Sequence, residues 1–313
     1  MGDLPHGTGA GCNDLWQIMV PRSLGYTSLR LRAGVMSRLD RRLLRANALL
    51  QVPYLNLRYR AIGLSDRVMY SRAENTATFS LASGEQFRIV GRRRLWVYAD
   101  GVDARTRRLA HEYGLEHMVL PHRPTVVDVG AHVGEFRRAV SMTLAGRGSE
   151  LGKYLAFEPD PDARRTLLRS FPATMCLCCA LGAGSGEAQF ILDSDNADSR
   201  LAAVDDVAQD ARGVQVRTLD DALDESDVGQ IDLLKVEAEG SEPEVIAGAA
   251  VSLRRCVWVA VDAGPERSRH VTTVASLNPL LDAGFELVWH SYPRNVFVLR
   301  NSNLPAPQPG TGG

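Results

Sequence analysis

The run Val126-Val127-Asp128-Val129-Gly130-Ala131-His132-Val133-Gly134 decides the fold. Four apolar-rich residues of strand character break into a glycine turn, and Glu135 to Leu144 follows with helical spacing. Strand, glycine turn and helix is the device by which a parallel α/β domain brings a ligand against its backbone at the carboxyl end of a strand. The spacing here is Asp-x-Gly-x-x-x-Gly, not the Gly-x-Gly-x-x-Gly that wraps a dinucleotide pyrophosphate, and no Lys-Ser/Thr of a nucleotide-binding loop follows. Nicotinamide and nucleoside triphosphate ligands therefore lose ground. A ligand with a zwitterionic or cationic portion fits better, with Asp128 offering opposite charge and the turn of Gly130, Ala131, His132 and Gly134 offering amide donors. The bland alternative is a plain glycine turn.

Outward from this run the chain alternates. Tyr154 to Phe157, Met175 to Cys178, Ile231 to Leu234 and Val257 to Val261 read as buried strands, separated by helical stretches at Asp162–Ser170, Glu242–Ala250 and Thr272–Ala283. Near-continuous apolar strands between helices predict a doubly wound, Rossmann-like α/β sheet covered on both faces. Phe285–Trp289 and Val296–Leu299 read as a hairpin at its edge. In front, alternation from Ala77 to Val97, with a turn at Ser83-Gly84-Glu85, predicts short strands, and Asp103–His117 reads as a helix. The expected organisation is a disordered tail over 1–14, a small basic α+β cap over 15–100, the catalytic-size domain over 101–300 and a second disordered tail over 301–313.

The net charge of −1 hides an asymmetry: residues 1–124 carry 19 Arg against 10 acids, and residues 125–313 carry 17 basic residues against 27 acids. No recognition motif accompanies the basic half, so a nucleic-acid partner is not expected. Leu31, Val35, Leu39, Leu43 and Leu50, interleaved with Arg30, Arg38, Arg41, Arg42 and Arg45, suggest a basic amphipathic helix over 29–50. It either touches a membrane surface or packs on its own domain, the second reading being preferred. No apolar stretch is long enough to cross a membrane and no secretory pattern opens the chain, which makes the cytoplasm the default location. The five cysteines, Cys12, Cys176, Cys178, Cys179 and Cys256, lack metal-site spacing and read as reduced thiols.

Two further strand ends carry chemistry. In Phe157-Glu158-Pro159-Asp160-Pro161, Glu158 stands where nucleoside-binding α/β folds hold ribose hydroxyls, because a carboxylate accepts from two vicinal hydroxyls at once. Asp160 reads instead as the cap of the next helix, with Pro161 in its first turn. In Leu234-Lys235-Val236-Glu237-Ala238-Glu239-Gly240-Ser241-Glu242, four charges in eight positions end an apolar strand, which is costly unless they line a polar cavity. If extended, Lys235, Glu237 and Glu239 point the same way and serve to orient a hydroxyl, hold a divalent cation or neutralise one another. Only Lys153 and Lys235 are lysines among 36 basic residues, so position 235 reads as one that needs a compact ammonium.

Taken together and in order, Val127 to Gly134, Phe157 to Pro161, Ala180-Leu181-Gly182 with Gly186, Thr218 to Asp221 and Lys235 to Glu242 resemble the FkbM family of S-adenosylmethionine-dependent methyltransferases, over roughly 125–300. Glu237 stands where that family commonly has Asp, and Asp262 where it often has Glu. The resemblance implies a class I methyltransferase sheet binding S-adenosyl-L-methionine, with its amino-acid tail on the glycine turn, its ribose on Glu158 and its adenine against Ala180 and Leu181. Transfer to a hydroxyl of a sugar, glycan, glycolipid or secondary metabolite follows, with Lys235, Glu237 and Glu239 at the reacting edge. Glu237 and Glu239 are the base or metal-ligand candidates, and the metal-free route is preferred because Lys235 already supplies positive charge. His132 reads as a hydrogen-bonding member of the turn and Asp220 as a helix cap. The front section is expected to shape the acceptor site, and its removal to abolish transfer but spare cofactor binding, provided the remainder stays folded. The rival reading is a catalytically weak protein of the same fold that binds a partner through its basic front. Oligomeric state has no signature.

Overall fold

The computed structural model describes residues 50–193, 199–202, 211–265, 271–292 and 294–305. The first tail and the basic stretch 29–50, apart from Leu50, lie outside the described residues, as do 306–313.

The front section opens with helix α1 (Gln51–Ala61), followed by the antiparallel strands β1 (Arg67–Ser71), β2 (Thr76–Ser80) and β3 (Gln86–Val90). Ala77 and Phe79 face Ile89 and Phe87 in register, and this apolar side is closed by Leu55 and Tyr59 of α1. The strand expected near Val97 is instead a 3-10 turn, Leu95–Tyr98. Its ends sit three residues apart and drop Leu95 and Tyr98 into the same core, the spacing such a turn brings together. The core also takes in Val133 and Ala163 from beyond residue 100, so the front section is fused to the main domain.

Helix α2 (Val102–Glu112) stops before His117, because Gly114 turns left-handed and a Cβ there would lie 2.7 Å from the Trp289 ring. The chain then runs through β4 (Val126–Val129), α3 (Glu135–Ala145), β5 (Tyr154–Phe157), α4 (Pro161–Ser170), β6 (Met175–Leu177), β7 (Ala180–Leu181), β8 (Gly186–Ile191), β9 (Arg200–Leu201) and β10 (Ala211–Arg217). After α5 (Leu219–Asp224) come β11 (Ile231–Val236), α6 (Glu242–Ala247), β12 (Cys256–Asp262), α7 (Thr273–Asp282), β13 (Phe285–Ser291) and β14 (Val296–Asn301). The main sheet has the order β13-β14-β12-β11-β4-β5-β6, parallel throughout except for β14, which runs against both its neighbours.

This is the doubly wound sheet that the alternation predicted. Val127 and Val129 face a layer built with α5, α6 and α7, while Val126 faces one built with α2, α3 and α4. Every residue of β4, β11 and β12 is buried, and each Val or Leu so covered contributes on the order of 1.5–3 kcal/mol. Strand order reverses at β4, which pairs with β5 on one side and β11 on the other, and the crevice at such a point opens above the carboxyl ends.

One sheet was not foreseen and two expectations are corrected. A separate four-stranded sheet, β7-β10-β8-β9, grows out after β6, with outward faces too mixed in polarity to show strand alternation. Helix α6 ends at Ala247, where Gly248 passes so near Gly182 that a Cβ would sit 2.1 Å from its carbonyl oxygen. Thr218, not Asp220, caps α5; Asp220 accepts instead from the backbone N–H groups of Val251 and Ser252 at 2.9 and 2.7 Å. Among the described residues no helix is long and apolar enough to cross a membrane.

Candidate active site

The glycine turn after β4 is folded by two close approaches. Gly130 has φ +72°, and a Cβ on it would lie 1.8 Å from the carbonyl oxygen of Glu237, so the turn and the end of β11 pack backbone to backbone. The N–H groups of Gly130 and Ala131 both donate to the carbonyl of Phe157, at 3.0 and 3.1 Å. Gly134 has φ +87° and would press a Cβ to 2.8 Å from the Phe171 ring. Gly130, Ala131 and His132 line a cavity at the carboxyl edge of the sheet; Gly134 does not, and is a packing glycine.

Glu158 closes the next side of that cavity. Its Oε2 accepts the His132 N–H at 2.6 Å and its Oε1 the Asp160 N–H at 2.8 Å, so one carboxylate ties the two turns together. Burial pushes its carboxyl up to about 8, with the Asp160 charge adding to the rise, although the two N–H donors favour the ionised form. Asp160 caps α4 by accepting from the N–H groups of Asp162 and Ala163, as Asp-Pro at this position predicts.

Lys235 is 1% exposed. Its ammonium meets Asp128 and Glu237 at 3.1 Å each and donates to the carbonyls of Val129 and Gly130 at 3.0 and 2.7 Å. Those carboxylates raise its pKa against the desolvation that lowers it. Asp128 is fully buried, holding Lys235 and accepting from Tyr154 Oη, and stands off the cavity wall. The direct contact with a cationic ligand expected of Asp128 is therefore not made: its carboxylate is occupied by the Lys235 ammonium, and Lys235, not Asp128, lines the cavity.

Glu237 is saturated. Tyr113 Oη donates to it at 2.7 Å, Lys235 sits on the same oxygen, and Arg294 from the β13–β14 hairpin holds the other. Burial works to raise the Glu237 carboxyl, but Arg294 first and then Lys235 hold it well below the usual carboxylate range. Arg294 also reaches Asp262 at 3.0 Å and Glu112 at 3.7 Å. From Glu112 the network runs through Arg105, at 3.2 Å, to Glu135 at 3.0 Å, where Arg94 at 3.3 Å and Tyr98 at 2.9 Å arrive from the front section.

Glu239 does not extend the row of Lys235 and Glu237. The strand ends at Val236, and Glu239 turns left-handed at φ +47°. The bend is pinned by the buried Glu242, whose Oε1 accepts the N–H groups of Ala238 and Gly240 at 2.9 and 3.0 Å. Glu239 consequently stands on the wall shared by the main cavity and a neighbouring one lined by Asp262, Pro265 and Asn295. Cys179, Ala180 and Leu181 with Phe190 and Leu201 make an apolar part of the cavity lining, all but Cys179 supplied by the unforeseen second sheet. Among the described residues no group of three His, Cys, Asp or Glu side chains is arranged to hold a metal ion.

The site thus gathers Lys235, Glu237, Glu239, Gly130, Ala131, His132, Glu158, Ala180 and Leu181 around one cavity. Sequence reading missed Arg94, Arg105, Tyr113, Glu135 and Arg294, which join it from distant segments and carry no motif. No curated protein matches the chain significantly. Similar solved structures include a methyltransferase FkbM from Methylobacillus flagellatus, at 16% identity and TM-score 0.45, covering 66% of this chain and 54% of that one. The chain thus spans about half the length of that relative. Others are the Aeropyrum pernix fibrillarin in complex with S-adenosyl-L-methionine, at 15% identity and TM-score 0.37 over 74% and 96% of the two chains, and the sugar N-methyltransferase KedS8 from Streptoalloteichus, at 11% and 0.32 over 64% and 86%. The profile of the methyltransferase FkbM domain matches residues 128–287, from the buried Asp128 through β11 into β13, and with just over half its length so matched the chain belongs to the FkbM methyltransferase family.

Proposed function

We propose that the chain is an S-adenosyl-L-methionine-dependent O-methyltransferase acting on a hydroxyl of a sugar, glycan, glycolipid or secondary metabolite. The observation that carries this reading is the convergence on one cavity of a bare glycine turn, the buried carboxylate of Glu158 and an apolar slot. These fit the cofactor part by part: the turn leaves a side-chain-free surface for an amino-acid tail, Glu158 keeps lone pairs for vicinal hydroxyls, and the slot of Ala180, Leu181 and Phe190 takes a flat base. The N–H groups of Gly130, Ala131, His132 and Gly134 are spent within the protein and are not the free donors expected of them. When bound, the cofactor supplies a methyl group on a sulfonium, for which a neutral thioether is the leaving group.

The chain's own residues then have to orient the acceptor and accept its proton. Glu237 is a poor base, since three donors favour its ionised form, and it serves by holding negative charge and the positions of Tyr113 and Arg294. Glu239, on the wall shared with the second cavity, takes the hydroxyl proton. A divalent cation would have to displace Lys235 and Arg294 from the carboxylates it needs, which supports the metal-free route. The reading includes a cytoplasmic setting, no nucleic-acid partner and a front section that shapes the acceptor end; contact of residues 29–50 with a membrane surface is the less favoured alternative to packing on its own domain.

Calorimetry with S-adenosylmethionine and with NADH tests the cofactor class. Turnover against hydroxylated acceptors, with and without chelator, tests the reaction. Binding of NADH alone, or chelator-sensitive turnover, would overturn the corresponding part.

A further inference from the structure

Arg94 belongs to the front section, outside the matched residues 128–287, yet lines the main cavity. It ends the run Gly91-Arg92-Arg93-Arg94 between β3 and the 3-10 turn, and its side chain is 22% exposed. Its ion-pair partner among the described residues is Glu135, met by one nitrogen at 3.3 Å. The other cations on that wall are spent: Lys235 on Asp128 and Glu237, Arg294 on Glu237 and Asp262, and Arg105 on Glu135 and Glu112. A guanidinium has five donors in a planar fork, so Arg94 alone among these keeps a face with which to grip a second carboxylate.

Its position says which carboxylate. Glu135 is the first residue of α3 and directly follows the turn Gly130–Gly134, so it holds Arg94 beside the stretch of backbone that receives an amino-acid tail. Glu135 is itself fixed by Tyr98 and Arg105. Arg105 and Arg94 keep it ionised against the burial that opposes this. It is a positioning residue, steadying Arg94 at one oxygen without closing its fork.

We propose that Arg94 binds the α-carboxylate of the cofactor's amino-acid tail, so that tail recognition comes from the front section rather than from the family domain. This rests on the cofactor reading above. No bond is made or broken in the contact; its yield is affinity and a fixed tail.

The test compares two nucleosides by calorimetry: S-adenosylhomocysteine, which carries the tail, and methylthioadenosine, which lacks it. The parent protein is expected to bind the first more tightly. Arg94→Ala should weaken S-adenosylhomocysteine by roughly ten- to a hundredfold and leave methylthioadenosine within about twofold. Arg94→Lys should recover part of the loss, since one ammonium keeps the charge but not the fork. Equal losses for both nucleosides, or no loss for either, overturn the assignment. Should the parent bind neither nucleoside, the cofactor reading itself fails and takes this inference with it.

Discussion

Glu158 accepts the backbone N–H of His132 at 2.6 Å, across the gap between the turns that follow β4 and β5. One buried carboxylate thus sets the width of the crevice in which a ribose would lie, while burial pushes its carboxyl up to about 8.

That shift gives cofactor affinity a pH dependence of definite sign. Ribose hydroxyls donate to an ionised carboxylate, so below pH 8 binding must first remove a proton from Glu158. Affinity should rise with pH by up to about tenfold per unit and level off above pH 8. In the free protein the same raised pKa means stability is lost as pH climbs from about 4.5 through 8, because the fold holds the proton more tightly than the unfolded chain does. Calorimetry between pH 6 and 9 checks the first effect and urea titration the second; Glu158→Gln should flatten both, and an unchanged slope in that variant would assign the proton elsewhere.

Gly130→Ala is expected to damage the site and the fold together. Its Cβ would fall 1.8 Å from the Glu237 carbonyl oxygen in a backbone conformation that alanine disfavours. Strain of this kind costs about 1–3 kcal/mol, and parting two buried backbones adds to it. Denaturant midpoints for this variant and for Gly84→Ala, which has open space around it, provide the comparison.

The two acids of the β11 edge should separate by what they lose. Glu237→Gln leaves the buried Lys235 and the half-buried Arg294 short of a counter-charge, a loss of about 1–3 kcal/mol of stability. Glu239→Gln should unfold like the parent yet slow transfer by roughly a hundredfold or more, with cofactor affinity kept. Thermal unfolding and single-turnover rates on both proteins decide; a Glu239 variant at the parent rate would remove it as the base.

Deleting residues 1–100 should destabilise the remainder. It would uncover Val133 and Phe171 and strip Tyr98 and Arg94 from Glu135. Exposing those side chains costs about 3 kcal/mol or more. That lowers the melting midpoint by roughly 6 °C or more for a domain of this size. The expectation that the section can be removed with cofactor binding intact holds only for a remainder that stays folded, and this packing is what that condition has to meet.

Legibility in the sequence depends on how each element is buried. β4, β11 and β12 are covered on both faces, so their apolar runs stand out, and the glycine turn, Glu158 and the Asp160 cap come from local chemistry. The strands β8 and β10 face solvent over much of their length and carry Arg, Gln and Glu, which erased their alternation. Leu95 and Tyr98 advertised a three-residue spacing, but Leu95 and Val97 alone read as alternation. Arg294 meets Glu237 across 57 residues, and Tyr113 meets it across 124. No single sequence names such partners, because each is an ordinary Arg or Tyr until the sheet closes.

The position of β14 sets a timetable. It lies between β12 and β13, so β13, although made earlier, has no edge to join until residues 296–301 have left the ribosome. Arg294 reaches Glu237 only when that last strand slots in. During synthesis most of the cavity wall can form while its final charge is still missing, and a nascent chain halted before β14 would carry a glycine turn and a Glu158 with no finished site to serve.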